Sequence, residues 1–208
     1  MFSSHKSKSF LVGTIIILIL VLDQWLKIWI KTHMTLGESI HVFGSWCQLL
    51  FIENRGMAFG MFFGGDTGKL LLSLFRIILV IFLIIYVRRL IISKAPIGVL
   101  IGIALITVGA LGNILDCAFY GLLFSESTPI QIAQFLPAEG GYASFLHGKV
   151  VDMFYFPFIE TTLPDWLPIW GGREFIFFRF IFNIADSAIT IGILYLMLFQ
   201  WRFFGKKK

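Results

Sequence analysis

The 208-residue chain is 58% hydrophobic and only 14% charged, with a mean hydropathy of +0.88. A soluble domain carries roughly 25% charged residues, so most of this mass belongs in a bilayer, as one compact unit (1–208) with no room for a second domain. The formal charge of +5 does not mark a nucleic-acid binder. Lys and Arg gather at the ends of apolar runs, and no interleaved basic and aromatic stripe occurs.

The first predicted span covers about Phe10–Ile30, long enough to cross a hydrocarbon core, which takes about 20 helical residues. Lys6 and Lys8 precede it, but the run is too long for a cleaved leader. Asp23, Gln24 and Lys27 interrupt its end, and no A-x-A-like site follows. Asp23 and Lys27 stand four apart, the spacing of a plain helix-surface ion pair or of a scaffold near a site. The first outer loop, about 31–69, contains SIHVFGSWCQLLFIENRGMAFGMFFGG. Its apolar and aromatic runs between glycines predict short strands lying on the membrane surface.

Spans two and three are predicted at about Leu70–Leu90 and Ile97–Phe119, joined through Arg88, Arg89 and Lys94. Arg76 reads as a residue that snorkels or pairs with an acid, as does Arg179 in the fourth span. The third span ends in GALGNILD, with Asn113 three residues before Asp116. A second outer loop runs over about 120–176. It holds Glu126, Glu139, Asp152, Glu160, Asp165 and Glu174 against Lys149 and Arg173. Gly140-Gly141, Pro129 and Pro137 mark 121–148 as irregular surface chain, dispensable for chemistry. The competing reading makes Phe124, Phe135 and Tyr142 a lid over a site. LPDWLPIWGG places Trp166 and Trp170 as interfacial anchors. The fourth span, about Phe177–Phe199, contains FNIAD, where Asn183 precedes Asp186 by the same three residues. Arg202 and Lys206 to Lys208 follow. The basic ends all belong inside, so both termini are expected in the cytoplasm and both long loops outside. Cys47 and Cys117 form no metal-type pair and read as ordinary semi-buried thiols.

Carboxylates in a membrane are expensive and seldom incidental. By depth, Asp23 falls about two turns inside the outer end of its span and Asp116 at the outer end of the third. Asp152 falls at the outer surface and Asp186 two to three turns inside the fourth. All four share the outward half. Two neighbouring carboxylates cannot both ionise cheaply. They then form the acid/base pair of an aspartic protease. Asp116, Asp152 and Asp186 are all candidates for that pair. His5, His33, His41 and His147 lie outside the apolar spans and no HExxH occurs, so neither a metal nor another cofactor is expected. Two other classes fit the same residues. One is a proton- or cation-translocating four-span protein, against which no inverted repeat is visible. The other is a scaffold in which Asn113 and Asn183 only join helices.

The order Asp23-Gln24, Asn54-Arg55-Gly56-Met57-Ala58-Phe59, Gly109-Ala110-Leu111-Gly112-Asn113-Ile114-Leu115-Asp116, Val150-Val151-Asp152 and Phe182-Asn183-Ile184-Ala185-Asp186-Ser187-Ala188-Ile189 resembles the bacterial lipoprotein signal peptidases, or type II signal peptidases. Each motif alone is weak; five in order over almost the whole chain are specific. The resemblance implies an all-α membrane protein, a four-transmembrane-helix bundle with a small β-rich outer-surface region. It implies Asp152 and Asp186 as the catalytic pair, with Asp23, Asn54, Gly109, Asn113, Asp116, Asn183 and Ala185 binding substrate or supporting the site. The implied activity is removal of the signal peptide from a diacylglyceryl-modified prolipoprotein just before the lipidated Cys. Expected partners are that lipidated substrate and membrane lipids, with the enzyme a monomer. The expected place is the bacterial cytoplasmic (inner) membrane, multi-pass, with the site toward the outer face.

Two departures stand out. Cys117 follows Asp116 where the family usually has Arg; Arg173 and Lys149 are the candidates to replace that cation. The stretches 121–148 and 157–173 are long, so the implied pair lies 186 − 152 = 34 residues apart.

Overall fold

Continuous apolar runs become long helices here, because in lipid a helix alone satisfies its own backbone. The computed structural model describes residues 4–55 and 65–205; Gly56 to Phe59 of the second motif lie outside them. Helix α1 spans His5–His33, α2 Gly65–Ile92 and α3 Ile97–Leu115. Ser4 caps α1 by accepting the Ser7 amide at 3.1 Å, and Pro96 sets the start of α3. These helices are long and apolar enough to cross a membrane, with α3 counted together with its extension to Leu123. That extension is a π-helical turn, Asp116–Tyr120, and one α-helical turn, α4, Gly121–Leu123.

The last apolar run differs from its expected extent. Helix α5 is Ile184–Phe199, 16 residues, followed by α6, Trp201–Gly205. The span expected from Phe177 begins seven residues later (184 − 177), because a capping box fixes its start. The Asn183 side chain accepts the Asp186 amide while the Asp186 carboxylate accepts the Asn183 amide. Asp186 therefore stands in the first turn of α5, not two to three turns deep. Asp23 is deeper than expected: α1 continues ten residues beyond it (33 − 23), about three turns.

The label all-α is too narrow, since six strands form outside the helices among the described residues. Strands β1 (Ser39–Phe43), β2 (Cys47–Asn54), β3 (Val150–Tyr155) and β6 (Ile181–Phe182) build an antiparallel sheet in the order β1-β2-β3-β6. Strands β4 (Ile159–Thr162) and β5 (Glu174–Phe177) make a separate hairpin. The strands expected in the first outer loop are thus present. Rings of Trp46, Phe158 and Phe156 stack in succession, and Phe182 packs tilted against Phe156.

Polarity is inverted relative to a soluble bundle. Ile17, Leu18 and Val21 of α1, Phe75, Ile78 and Phe82 of α2, and Leu194, Met197 and Leu198 of α5 are exposed. Asp23, Lys27, Thr107, Asn113, Asp116 and Asn183 are buried. Lipid accommodates the first set, and only mutual hydrogen bonding accommodates the second. The stretch 121–148 is irregular, as expected, but it is not merely surface chain. Phe124 and Ala133 are buried in one cluster with Ile30, Met34, Phe51, Val151 and Met153. Removing it would open that cluster, so the stretch belongs to the packed core and not to the surface alone.

Helix α3 lies centrally, against α1, α2 and α5. It packs tightly on α5 at Gly109, where an added Cβ would meet the Ala185 carbonyl and lie 2.5 Å from Ile189 Cγ1. Gly109→Val should therefore destabilise the protein by about 1–3 kcal/mol, seen as a lower melting temperature in detergent. Gly13→Val, at a position with nothing within 4 Å, should leave it unchanged.

Candidate active site

The site begins with a lysine in the bundle interior. The Lys27 side chain is fully buried, with Nζ 2.9 Å from Asp23 Oδ2 and 2.8 Å from Asp116 Oδ2. It also donates to Asn113 Oδ1 at 3.0 Å. A buried ammonium is tolerated only when paired and hydrogen-bonded, and these three acceptors come from α1 itself and from α3 and its extension.

Each acid then reaches onward to a backbone amide. Asp23 Oδ1 accepts the Ala185 amide at 2.9 Å, and Asp116 Oδ2 accepts the Val151 amide at 3.3 Å. Ala185 and Val151 each precede an aspartate, Asp186 and Asp152. Gln24 completes the layer, donating to Asp116 Oδ1 at 2.8 Å and accepting the Tyr120 hydroxyl at 3.2 Å.

Above this layer lie Asp152 and Asp186, joined through Asn183. Its Nδ2 donates to Asp152 Oδ1 at 2.8 Å and to Asn113 Oδ1 at 3.1 Å. Its Oδ1 accepts the Asp186 amide at 2.8 Å. Asn113 Nδ2 donates to Asp186 Oδ1 at 2.7 Å. From the sheet, Asn54 Nδ2 approaches Asp152 Oδ2 at 3.4 Å. Ile52 pairs with Asp152, so Asn54, two residues on, shares the face of Asp152. Asp152 is buried and Asp186 half-buried. Burial, then the neighbouring Asp186 charge, push the Asp152 carboxyl up from 3.8 to about 7.

The family model described as signal peptidase (SPase) II matches residues 15–202. A lipoprotein signal peptidase of Porphyromonas gingivalis is 48% identical over 198 residues, covering 95% of this chain and 85% of its own. One of Amoebophilus asiaticus is 34% identical, covering 88% and 75%. The chain belongs to the signal peptidase II family. Two bacterial membrane enzymes solved by the in meso method share its fold, with TM-scores of 0.60 and 0.56 at 24% identity. They cover 95% and 90% of this chain, and 91% and 90% of their own.

In this signal peptidase II family member, Asp23, Asn54, Asn113, Asp116, Asp152, Asn183, Ala185 and Asp186 come together as one bonded set, with Gly109 packing below Ala185. The two cations suggested to replace the family arginine lie elsewhere. Lys149 pairs with Glu53 and Glu126 at 3.1 and 3.2 Å, and Arg173 stands exposed beside the β4–β5 hairpin. Lys27 holds Asp116 instead, and Arg76 Nη1 points at Cys117 Sγ, 3.6 Å away. Both cysteines are free thiols.

Sequence reasoning gave Lys27 only a partner in Asp23 and passed over its wider role. The signal was present, since a lysine among apolar residues is as anomalous as an aspartate. It also missed a second buried group, in which Lys31 pairs with Glu53 and donates to Ser127 Oγ at 2.7 Å. Phe124 and Tyr142 lie against Lys31, so they cover this pair rather than the aspartates, as a lid would.

Removing one partner of a buried charge cluster leaves the rest uncompensated. Lys27→Met should lower stability by about 3–5 kcal/mol, and adding Asp116→Asn should restore part of the loss. Melting temperatures of the two variants in detergent check the pair.

Proposed function

We propose that the chain is an aspartic endopeptidase with Asp152 and Asp186 as its catalytic pair. It would cleave the signal peptide of a diacylglyceryl-modified prolipoprotein just before the lipidated cysteine. The observation that carries this is the single Asn183, which hydrogen-bonds one carboxylate through its side-chain NH₂ and caps the helix bearing the other. Two neighbouring carboxyl groups share one proton, and the raised Asp152 supports placing it there. Asp186 then takes a proton from the attacking water while Asp152 protonates the scissile carbonyl oxygen. Collapse of the tetrahedral intermediate returns the hydroxyl proton to Asp152, and the proton held by Asp186 passes to the leaving amine. Asp116 has no exposure and its oxygens face Lys27, Gln24 and Val151, which supports a supporting role. Asn54, which reaches Asp152, and Asn113, which reaches Asp186, suit hydrogen bonding to the substrate backbone and orientation of the pair.

The same reading takes α5 as a fourth, shorter span and the whole chain as one domain acting as a monomer in the inner membrane, among its lipids. It puts both termini in the cytoplasm and the aspartates toward the outer face. In support, Lys8 donates to the Ala95 carbonyl at 2.6 Å, so the start of α1 meets the α2–α3 connection, which carries Lys94 and directly follows the end of α2 with Arg88 and Arg89. The sheet and the aspartates lie toward the other end.

Asp152→Asn and Asp186→Asn should each reduce cleavage of a diacylglyceryl-prolipoprotein at least about 10³-fold, with insertion and melting temperature retained. Asp116→Asn should keep measurable turnover and lose stability. Product mass after incubation checks all three, and a fully active Asp152→Asn would remove the pair.

The pH dependence has a definite sign. Activity needs protonated Asp152, so turnover should fall as pH rises through about 7. Stability should fall in the same direction. The folded chain holds the Asp152 proton between about pH 4 and 7 where the unfolded chain has lost it, so raising pH through that window favours unfolding. Melting temperature against pH should therefore decline more steeply in the parent than in Asp152→Asn.

A further inference from the structure

At the end of β2 another buried carboxylate lies back to back with the site. The Glu53 side chain is 2% exposed and that of Lys31 not at all. Glu53 Oε1 takes the Lys31 ammonium and the Ser127 hydroxyl, the latter at 2.9 Å, and Lys31 donates to Ser127 Oγ at 2.7 Å. Lys149 Nζ lies 3.1 Å from Glu53 Oε2. One side chain of β2 therefore holds α1 through Lys31, the stretch 121–148 through Ser127, and the residue just before β3 through Lys149. The rings of Phe124 and Tyr142 lie against Lys31 and keep water from the pair. A buried ion pair is a weak source of net stability, and its best-attested use is to fix register.

What this pair fixes is the strand residue next to it. Successive strand residues point to opposite faces, so Glu53 turns toward α1 while Asn54 turns toward Asp152. In register Glu53 stands opposite Val151 and Asn54 opposite Val150. This end of β2 needs support. Strand β1 pairs no further than Leu50, and the residues before β1 bond no further than Phe51. Among the described residues, Ile52 to Asn54 thus have a strand neighbour only in β3, and chain ends held on one side open readily. Asn54 Nδ2 reaches Asp152 Oδ2 at 3.4 Å, near the limit for a hydrogen bond. A displacement of a few tenths of an ångström removes it.

We propose that Glu53 is a positioning residue for the peptidase chemistry: gripped by Lys31 and Ser127, it keeps Asn54 on Asp152. The inference rests on the peptidase reading. It gives the enlarged stretch 121–148 a part in the reaction from behind the sheet, through Ser127 and not through a group that touches substrate. Asn54 orients the carboxyl that protonates the scissile oxygen, so loosening it slows turnover while both aspartates remain.

The test uses the full chain in phosphatidylcholine vesicles and one diacylglyceryl-lipopeptide substrate. Lys31→Met/Glu53→Met removes both charges together at similar volume, the change that a buried pair tolerates best, and leaves Lys149 its partner Glu126 at 3.2 Å. It should lower kcat/KM about tenfold, the scale of one hydrogen bond. In an Asn54→Ala background the same two substitutions should change kcat/KM by less than about twofold, because the contact they act through is already gone. Equal losses in the two backgrounds overturn the proposal, since a general structural role lowers both alike. Amide exchange gives a readout independent of turnover. In the double variant the segment 51–55 should exchange about tenfold faster, while Ile97–Leu115 of α3 exchanges as in the parent. Unchanged exchange at 51–55 also overturns the proposal, and exchange decides alone if Asn54→Ala is too slow to follow. Should the double variant not fold, Glu53→Asp, which keeps the charge and draws it back by one methylene, replaces it in both measurements. If the parent does not cleave the lipopeptide, it is the peptidase reading that fails, whereas the exchange result still shows whether the pair holds the strand.

Discussion

A single buried cation organises the interior of this protein. Lys27 has no exposed side-chain surface, and an ammonium in an apolar interior is tolerable only if its donors are used. Its three acceptors, Asp23, Asp116 and Asn113, tie α1 to α3. The two carboxylates then take up the amides of Ala185 and Val151, which fixes the start of α5 and the start of β3. The pairing of one buried ammonium therefore sets where four separate elements meet. The proposed catalytic pair is carried by the two elements so held, one residue beyond each anchored amide.

The second constraint is the pairing of β3 with β6. Phe154 faces Phe182 and Tyr155 faces Ile181, so the chain between β3 and β6, most of the 33 residues between the two aspartates, is looped out into the β4–β5 hairpin and its flanks. Loop-closure entropy grows only slowly with length, and long insertions there are compatible with a short distance between the ends. Directly after β6 comes Asn183, whose capping box starts α5. One side chain thus terminates a strand, begins a helix and reaches the neighbouring carboxylate.

The enlarged stretch 121–148 also has a structural account. It supplies Phe124 to a core shared with α1 and the sheet, and Ser127 to the buried Lys31–Glu53 pair. The absence of the family's usual arginine after Asp116 is met from two directions. Lys27 contacts the carboxylate, and Arg76 of α2 turns toward Cys117.

Much of this was legible in the chain itself. Apolar runs of about 20 residues dictate helices in lipid, and alternating aromatic and apolar residues between glycines dictated strands β1 and β2. The cost of carboxylates in a membrane singles out Asp23, Asp116, Asp152 and Asp186 from the chain alone. Those are local signals, carried by composition and spacing. Tertiary structure decided what depends on partners distant in sequence. The span expected from Phe177 gave way to strand pairing and a cap at Asn183, because hydrogen bonds to β3 compete with helix in a segment whose apolarity suits both. Lys27 could be seen as a partner of Asp23, four residues away, but not as a partner of Asp116, which is 116 − 27 = 89 residues on. The stretch 121–148 looked like surface chain because its prolines and glycines describe its backbone shape. Its burial depends on Lys31 and Glu53, whose charges need Ser127 and the aromatic rings once the fold has taken them out of water.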